Sequence, residues 1–394
     1  MSGAGEDKAL RPATRLVRGG RRQEWTGPLV NVPVCRGSTH LYESEAARAA
    51  AGKTNADGQF FYGRRGGPTQ WALAEALTQI EPGAAGTVLY PSGVAAIAGC
   101  LLAVLRPGDR LLMADNAYDP ARSMASGLLA RMGVTTCFFD PRDLAAYEAL
   151  FAEPVRAVWL ESPGSLTFEV CDVPALAAIA RSHGAVSLID NTWASPLGFP
   201  ALAHGCDIAM MSLSKHVGGH SDVMMGSASA AARWYGALRR TSQELGQVVS
   251  PDDAALAARG LRTMGLRLEA QTRSAIRIAT FLEQHPAVAR VLCPMLASDP
   301  GHALWRRDFA GGCGLFAFVL ARDDPASAAR VVDALALFGI GYSWGGYESL
   351  ALAIRPEEHR SVMPGPGGPA IRLAIGLEDP EDLIADLAQA LEQA

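Results

Sequence analysis

The chain has 394 residues, of which 49% are hydrophobic and 19% are charged, so it can bury a large core and divide into more than one domain. Its formal net charge of −5 excludes the strong positive charge by which many proteins bind nucleic acid or anionic membranes. We therefore expect no nucleic-acid partner and no membrane partner.

The cysteines and the N-terminus indicate the compartment. The seven cysteines are odd in number and never spaced as C-x-x-C, which predicts reduced thiols and neither a disulfide framework nor a zinc site. The N-terminal residues lack the apolar region of a signal peptide, and no run of about 18 apolar residues occurs in the sequence. These features predict a cytoplasmic protein.

Residues 1–70 are rich in Gly, Arg and Pro and show little periodicity, which predicts an extended arm that docks on another surface. Tyr62 and Arg64 lie within this arm, two positions apart. A tyrosine hydroxyl beside the planar donors of a guanidinium suits the binding of a phosphate group. On pattern alone, an ordinary loop turn is the simpler interpretation.

Residues 71–265 repeat a unit in which an apolar run, a polar turn and a helical segment follow one another, and this repetition predicts one α/β domain. In the first unit, Ser92, Gly93 and Val94 lie where a helix begins, and the N–H groups at a helix N-terminus attract phosphate. Ser92 is also an ordinary N-cap, and the two interpretations are compatible. In the next unit, Tyr118 is either a ring that stacks on a planar ligand or a half-buried loop aromatic.

Two short apolar runs, 185–189 and 208–211, predict neighbouring parallel strands whose carboxyl ends meet at one edge of a sheet. Asp190 ends the first run and Lys215 follows the second, so we expect both side chains at that edge. Pyridoxal phosphate (PLP) needs such a pair, because a lysine holds it as a Schiff base and an acid keeps its pyridine nitrogen protonated. For an isolated pair, a surface carboxylate and an exposed lysine are the alternative.

Hydroxyl and imidazole groups flank the lysine. Ser212 and Ser214 are two positions apart in a strand-like segment, so we expect both hydroxyls on one face, where they can bind a phosphate. His216 and His220 are four positions apart, as in some metal sites. Two glycines between them disfavour a continuous helix, and no third ligand lies near in sequence, so we expect no bound metal.

At these residues the chain resembles a known family. D-N-T-W at 190–193 and S-x-S-K-x-x-G-G-H-S-D at 212–222 resemble the Cys/Met-metabolism family of fold-type I PLP enzymes. The resemblance implies an α/β fold with a large, doubly covered, mostly parallel sheet domain and a smaller α+β C-terminal domain at 266–394. It implies that Lys215 forms the Schiff base and that Asp190 pairs with the pyridinium nitrogen. The other implied cofactor contacts are Tyr118, which stacks on the ring and assists proton transfer, and Ser92, Gly93, Val94, Ser212 and Ser214.

Two C-terminal features resemble the substrate side of sites in this family. Residues 342–349, Y-S-W-G-G-Y-E-S, are similar to a loop of the cystathionine β-lyase branch, in which the tryptophan at Trp344 is characteristic and Ser343 helps to position the lysine. Arg372 matches the arginine that holds the substrate carboxylate, a task that suits its two parallel donors. His216 departs from the family, where a tyrosine usually follows the lysine.

The resemblance also implies a reaction. The Trp344 loop and the Gly164–Thr167 turn favour β-elimination of L-cystathionine to homocysteine, pyruvate and ammonia, a carbon–sulfur lyase activity of transsulfuration and methionine biosynthesis. The alternatives are a cysteine-conjugate β-lyase of a specialised pathway, a γ-lyase or γ-synthase, and a non-catalytic regulator on the same scaffold. The substrate in each enzymatic case is a small sulfur amino acid.

In the family, a Y-x-R segment of the N-terminal arm reaches the cofactor phosphate of the neighbouring subunit. The match at Tyr62 and Arg64 therefore implies that this chain forms a homo-oligomer with shared active sites. By the same resemblance we expect a tetramer that is built as a dimer of dimers.

Overall fold

The computed structural model describes residues 10–54 and 56–394. Its N-terminal segment contains three short helices, α1 (Pro12–Arg18), α2 (Gln23–Thr26) and α3 (Glu45–Gly52). The arm that we expected to be extended is thus partly helical, and its residues 1–9 lie outside the described part of the chain. Burial of Leu16 in the main core holds α1 on the body of the protein.

The central part of the chain alternates strands and helices, as the repeated apolar runs predict. α4 begins at Pro68, three residues before the predicted domain boundary, because proline is favourable in the first turn of a helix. The elements are α4 (Pro68–Ile80), β1 (Gly86–Tyr90), α5 (Gly93–Val104), β2 (Arg110–Ala114), α6 (Asp119–Met124), β3 (Thr135–Phe139), α7 (Leu144–Ala149), β4 (Ala157–Glu161), α8 (Val173–Ser182), β5 (Val186–Asp190), α9 (Ser195–Gly198), β6 (Ile208–Ser212), β7 (Gly226–Ala230) and α10 (Ala232–Glu244).

Strands β1 to β7 form one sheet in the order β1-β7-β6-β5-β4-β2-β3. The neighbours from β6 to β3 pair in parallel, and β7 runs antiparallel to β1 and β6. All residues of β5 and the first four of β4 are buried, because helices cover both faces of the sheet. The predicted large, mostly parallel, doubly covered sheet is confirmed.

One edge of this sheet collects polar residues that end or follow its strands. β4 ends at Glu161 and β5 at Asp190, which lie opposite each other in the register, and the neighbouring β6 ends at Ser212. Ser92 follows β1 and Tyr118 follows β2 at the same edge. Ligands of open α/β sheets bind beyond this edge.

A single long helix, α11 (Pro251–Glu283), leads from the large sheet to the C-terminal elements. The side chain of Ser250 caps it by accepting the N–H of Asp252, and the acidic first turn complements the positive end of the helix dipole. The predicted boundary between residues 265 and 266 falls inside this continuous helix.

The C-terminal part forms a smaller α+β layer. Its strands form a second sheet in the order β10-β11-β12-β9-β8, in which only the β10–β11 pair is parallel. The elements are β8 (Val288–Leu292), α12 (His302–Asp308), β9 (Leu315–Leu320), α13 (Ser327–Ala334), β10 (Gly339–Ile340), β11 (Leu350–Ile354), β12 (Ala370–Ala374) and α14 (Pro380–Ala390). Among the helices of the described residues, none is long and apolar enough to cross a membrane.

Candidate active site

Lys215 lies in a turn just beyond the end of β6. The chain folds back after the strand, so that the N–H groups of Gly218 and Gly219 donate to the carbonyls of Leu213 and Lys215, both at 2.8 Å. Gly219 adopts a φ of +69°, which glycine reaches without the strain of a side chain. The turn presents the lysine amine at the polar edge of the sheet.

The hydroxyl of Ser343 tethers this amine. Nζ of Lys215 donates to Oγ of Ser343 at 2.6 Å. Ser343 has a φ of +84°, a left-handed conformation that costs a residue other than glycine about 1 to 3 kcal/mol. Nη2 of Arg372 donates to the Ser343 carbonyl at 3.0 Å and helps to hold this backbone. The strained serine therefore joins the lysine of the large sheet to the arginine of β12.

Arg372 offers an unused donor at this point. Its Nε is buried and has no partner among the described residues, and a buried donor without a partner is unfavourable. Burial lowers the pKa of Arg372 to about 10, so the guanidinium is still charged at neutral pH. A ligand carboxylate would satisfy both the charge and the free donor.

The environment of Lys215 favours a neutral amine. Its pKa is lowered to about 8, first by burial and then by the charge of Arg372, whereas Asp190 acts in the opposite direction. With such a pKa, roughly a tenth of the amine is neutral at pH 7. Neutral lysine can act as a nucleophile and as a base.

Asp190 and Glu161 place two carboxyl groups side by side. Thr192 donates to Oδ1 of Asp190 from its N–H at 3.0 Å and from its hydroxyl, so neither bond engages Oδ2. Burial raises the pKa of both carboxyls, and the neighbouring charge of Asp190 adds to the effect at Glu161, whose pKa lies well above its usual range. The pKa of Glu161 is therefore raised further than that of Asp190, and Asp190 is the carboxyl of this pair that ionises more readily.

Tyr118 stands at the start of α6 beside these carboxyls. Its backbone N–H donates to Oε2 of Glu161 at 2.7 Å, and this bond fixes the backbone of Tyr118. The residue is 43% exposed. Burial and then the charge of Asp190 raise the pKa of the phenol, so the hydroxyl is protonated at neutral pH. A half-exposed ring in this place can stack on a planar ligand that pairs with Asp190.

The N-terminus of α5 and the hydroxyl of Ser212 form a cradle of donors. Ser92 caps the helix by accepting the N–H of Ala95 at 3.0 Å. A Cβ on Gly93 would lie 3.0 Å from Oγ of Ser212, so glycine permits the helix end and this hydroxyl to lie side by side. The N–H groups of Gly93 and Val94 begin the helix and have no partner within it. Such a helix end attracts a phosphate.

Ser214 lies in the turn that follows β6, where its hydroxyl is bonded to Met225. β6 ends at Ser212, and the hydroxyl of Ser214 accepts the N–H of Met225 at 3.0 Å and bonds to the Met225 carbonyl at 3.2 Å. The prediction that Ser212 and Ser214 share one strand face is wrong, because the chain turns directly after the strand. Ser214 instead fastens the turn that carries Lys215.

Trp344 supplies an aromatic face to the lysine amine. Nζ of Lys215 lies 5.4 Å from the centroid of the Trp344 ring, within the range of a cation–π contact. The structure thus brings Trp344 and Ser343 of the predicted loop to Lys215, as the sequence predicts.

Tyr62 and Arg64 lie elsewhere in the chain. Nη1 of Arg64 donates to the carbonyl of Gln243 at 2.6 Å, and Tyr62 is 47% exposed. Within the described residues, neither side chain forms a hydrogen bond with Lys215 or Ser212. The bond to Gln243 places Arg64 at the C-terminal end of α10.

The two histidines of the glycine turn bind different carbonyls. Nε2 of His216 lies 3.1 Å from the carbonyl oxygen of Trp193, and Nδ1 of His220 lies 2.8 Å from that of Gly218. Over residues 10–54 and 56–394, no group of three side chains is arranged to hold a metal ion.

Comparison with known proteins decides the family. The family model described as "Cys/Met metabolism PLP-dependent enzyme" matches residues 13–392. The chain belongs to this family. PLP is therefore its cofactor, as the resemblance of the lysine and aspartate motifs predicts.

The residues at the sheet edge fit this cofactor. They offer a partly neutral amine on Lys215, a buried carboxylate on Asp190 and a cradle of N–H and hydroxyl donors at Gly93 and Ser212. These three features match the aldehyde, the pyridine nitrogen and the phosphate of PLP.

Relatives of the PLP-dependent family resemble the chain over almost its whole length. It is 43% identical over 381 residues to cystathionine beta-lyase MetC of Escherichia coli (strain K12). This alignment covers 95% of this chain and 96% of that protein. It is 36% identical over 390 residues to L-alanine/L-glutamate racemase of Wolbachia pipientis wMel, with 95% and 96% covered. A solved structure, cystathionine gamma synthase from Xanthomonas oryzae pv. oryzae in complex with aminoacrylate and cysteine, has a TM-score of 0.89 and 31% identity, and 98% of each chain is covered.

Sequence reasoning missed three contributors to this site. Glu161 ends an apolar run as Asp190 does, so the rule that located Asp190 also applies to it. Thr192 lies within the D-N-T-W motif, but its two bonds to Asp190 depend on a turn that the sequence does not reveal. The contact of His216 with Trp193 joins residues 23 positions apart and has no local sequence signal.

Proposed function

We propose that this chain is a PLP-dependent carbon–sulfur β-lyase that cleaves L-cystathionine to homocysteine, pyruvate and ammonia. The proposal rests on the contiguous set of Lys215, Ser343 and Arg372, joined by hydrogen bonds of 2.6 and 3.0 Å beside the carboxylate of Asp190. The similarity to a cystathionine beta-lyase along nearly the whole chain supports this choice of substrate. The reaction belongs to sulfur amino-acid metabolism.

Each part of the cofactor has its own group of residues in this proposal. Lys215 binds the aldehyde, Asp190 pairs with the pyridine nitrogen and Tyr118 covers the ring. When bound, PLP supplies an electron sink for the negative charge that develops at the substrate Cα. The phosphate is held by Ser92, Gly93, Val94 and Ser212, while Ser214 acts indirectly by fastening the lysine turn.

Arg372 orients the substrate. Its free Nε and its fixed Nη2 can form parallel bonds to the α-carboxylate, and two bonds hold that group in one plane. Fixing the carboxylate restricts rotation about Cα and so decides which bond of that carbon is broken. Trp344 bounds the space beside the amine.

Lys215 moves the proton. Its amine has a pKa of about 8 and can accept the proton of Cα, and the Ser343 hydroxyl keeps Nζ at one place in the site. Tyr118 keeps its own proton at neutral pH and assists as a donor at the same edge. Departure of the sulfur from Cβ follows removal of the Cα proton.

We infer further that the active form is a homo-oligomer in which Tyr62 and Arg64 serve the neighbouring subunit. The exposed position of Tyr62 and the bond of Arg64 to the end of α10, in place of a bond to Lys215 or Ser212, support this inference. Large apolar side chains near the arm and after α10, including Phe60 at 52% and Leu245 at 47% exposure, are suited to an interface. A dimer of dimers is the assembly that we propose.

The location that we propose is the cytoplasm. All seven cysteines are free thiols, and five of them are buried. Unpaired thiols in this number are typical of proteins that work in a reducing compartment.

A second candidate function is amino-acid racemisation. The similarity to an L-alanine/L-glutamate racemase favours it, because proton removal at Cα is common to both reactions and the same Lys215 would perform it. The other carbon–sulfur lyases of the family also share the cofactor residues. A non-catalytic regulator is disfavoured, because the amine, the carboxylate and the guanidinium are all in place.

Product analysis separates these functions. The purified, PLP-loaded protein is incubated with L-cystathionine, and pyruvate and 2-oxobutyrate are measured in the same sample. Pyruvate is expected; 2-oxobutyrate in its place would overturn β-elimination in favour of γ-elimination. Incubation with L-alanine and L-glutamate tests the racemase, and formation of the D-isomers faster than pyruvate release from cystathionine would make racemisation the main activity.

A further inference from the structure

His216 is buried directly beside the reactive lysine. It is 2% exposed, and its Nε2 lies 3.1 Å from the carbonyl oxygen of Trp193. A carbonyl only accepts, so Nε2 carries the hydrogen. Burial lowers the pKa of His216 to about 3, and the positive charges of Arg267 and Lys215 act in the same direction, so the ring is neutral. The bond to Trp193 thus fixes both the tautomer and the orientation of the ring.

The same ring supports Trp344. The two ring centroids are 5.1 Å apart and the planes are inclined at 61°, an edge-to-face contact. The loop comes this close because residue 345 is glycine, at which a Cβ would lie 3.1 Å from N of His216 and 3.2 Å from its Nδ1. Gly345 also has a φ of +82°, which disfavours any other residue. His216 is therefore wedged between the Trp193 segment and the Trp344 loop.

Trp344 in turn faces the amine of Lys215. With Nζ 5.4 Å from the ring centroid, the electron-rich face of the indole stabilises the protonated nitrogen. Any change in the position of Trp344 thus alters both the charge on Lys215 and the space for a substrate beside Ser343.

We propose that His216 is a positioning residue, whose N–H anchors the ring on the Trp193 carbonyl and whose ring holds Trp344 over the amine of Lys215. His216 contacts neither substrate nor cofactor in this role and acts through Trp344. The effect on substrate binding rests on the proposed lyase function. The effect on the lysine nitrogen requires only that the protein binds PLP.

Two substitutions of His216 test its N–H donor and its aromatic ring separately. His216→Gln keeps an N–H donor at the reach of Nε2 and removes the aromatic contact, whereas His216→Phe keeps the ring and removes the donor. Trp344→Leu removes the partner through which His216 acts. His204→Gln is the matched control, because this histidine stacks on Phe199, with ring centroids 4.5 Å apart, and has no ring contact with His216, Trp344 or Lys215 among the described residues.

The first readout uses no substrate. The visible absorption of the bound cofactor is titrated with pH, and its midpoint reports the affinity of the lysine nitrogen for a proton. Loss of the cation–π contact lowers this midpoint, by about 0.5 pH unit for His216→Gln. His216→Phe keeps the ring but loses its anchor, so it is expected to lower the midpoint by less than His216→Gln does. In the Trp344→Leu background the substitution of His216 is expected to have no further effect, because the two residues act as a unit.

The second readout is steady-state kinetics with L-cystathionine. His216→Gln is expected to raise KM about fivefold with kcat within about twofold, and this rise is expected to disappear in the Trp344→Leu background. If the wild type does not turn over cystathionine, the proposed function fails, and the spectral titration still decides the role of His216.

The proposal is overturned if His216→Gln leaves the midpoint unchanged, or if the same shift persists when Trp344 is leucine. A shift of equal size in His204→Gln would also overturn it, because the effect would then not be specific to this contact. If His216→Gln does not retain the cofactor, His216→Leu is used in its place, because leucine fills the space without an aromatic ring. The same midpoint shifts are then required of His216→Leu.

Discussion

The amine of Lys215 and the hydroxyl of Ser343 lie 2.6 Å apart, although 128 positions separate the two residues in the sequence. Lys215 belongs to the edge of the large sheet, and Ser343 belongs to the loop between β10 and β11 of the smaller one. The bond forms only when the two sheets are packed together, and the left-handed backbone of Ser343 brings the hydroxyl to the amine. The proposed chemistry therefore depends on the contact between two parts of the fold.

Substitution of Ser343 tests this tether. Ser343→Ala and Ser343→Gly both remove the hydroxyl, and we expect kcat to fall about tenfold in each, because the amine loses its fixed position. Glycine also relieves the strain at a φ of +84°, so Ser343→Gly is expected to be about 1 kcal/mol more stable than Ser343→Ala. Kinetics and thermal unfolding of the holoprotein measure the two effects. Equal activity of wild type and Ser343→Ala would contradict the role of the tether.

The lowered pKa of Lys215 predicts a pH dependence of cofactor binding. The neutral amine attacks the aldehyde, so in cofactor-free protein the rate of PLP incorporation should rise with pH to a plateau, with a midpoint near the pKa of about 8. Arg372→Met should move the midpoint up, because the arginine charge lowers this pKa, and Asp190→Asn should move it down. The visible absorption of bound cofactor measures the rate.

Lys53→Ala is the control for this titration, because Lys53 lies at the end of α3 and outside the proposed site. Its midpoint is expected to equal that of the wild type. A midpoint near 10.5, the ordinary value for lysine, would show that burial does not perturb the amine.

Arg372 is expected to determine binding of the substrate carboxylate. Arg372→Lys keeps a positive charge but loses the planar pair of donors, so KM for L-cystathionine should rise about tenfold or more, with a smaller change in kcat. Arg355→Lys serves as a control, because Arg355 pairs with Glu358 on the surface and should leave KM unchanged. An unchanged KM in Arg372→Lys would remove Arg372 from the substrate site.

The two carboxyls at the ends of β4 and β5, Glu161 and Asp190, should differ sharply in their importance. The pKa of Glu161 is raised well above its usual range, and its carboxyl accepts the N–H of Tyr118, a bond that the amide oxygen of Gln can also accept. Glu161→Gln should therefore retain activity within about threefold. Asp190→Asn removes the charge that pairs with the pyridine nitrogen and should lower kcat at least about a hundredfold. Activity of the two purified variants at one pH decides the point, and the reverse order would exchange the two roles.

Mixed oligomers test the shared active site. Arg64→Ala and Lys215→Ala are each expected to be inactive or nearly so. The two variants are unfolded together in equal amounts and refolded, so that about half of the dimers contain one chain of each variant. Each mixed dimer has one intact site of its two. About a quarter of wild-type activity should therefore return. No recovery in the refolded mixture, with full recovery of a wild-type control, would place Arg64 and Lys215 in the same subunit.

The parts of the site that follow from local patterns could be predicted from the sequence. Asp190 ends an apolar run and Lys215 follows the next one, and parallel strands bring their carboxyl ends to one edge. Ser92 caps the helix that follows β1, as its position before an apolar helix indicates. These predictions needed only the periodicity of each segment and the rule for parallel sheets.

The parts that depend on turns and on distant contacts could not be predicted in the same way. The alternation of its segment predicts a strand at Ser214, but tertiary hydrogen bonds to Met225 turn the chain there. The wedge of His216 between Trp193 and Trp344 joins three separate segments. Such contacts are decided by packing, which local sequence does not encode.

The products formed from L-cystathionine decide whether this protein is the proposed β-lyase. PLP-loaded wild type and Lys215→Ala are each incubated with this substrate, and pyruvate and free thiol are measured together over time. We predict equal amounts of pyruvate and homocysteine from the wild type and neither product from Lys215→Ala. A wild-type protein that shows the absorption of bound PLP but forms no pyruvate would contradict the proposed β-lyase function.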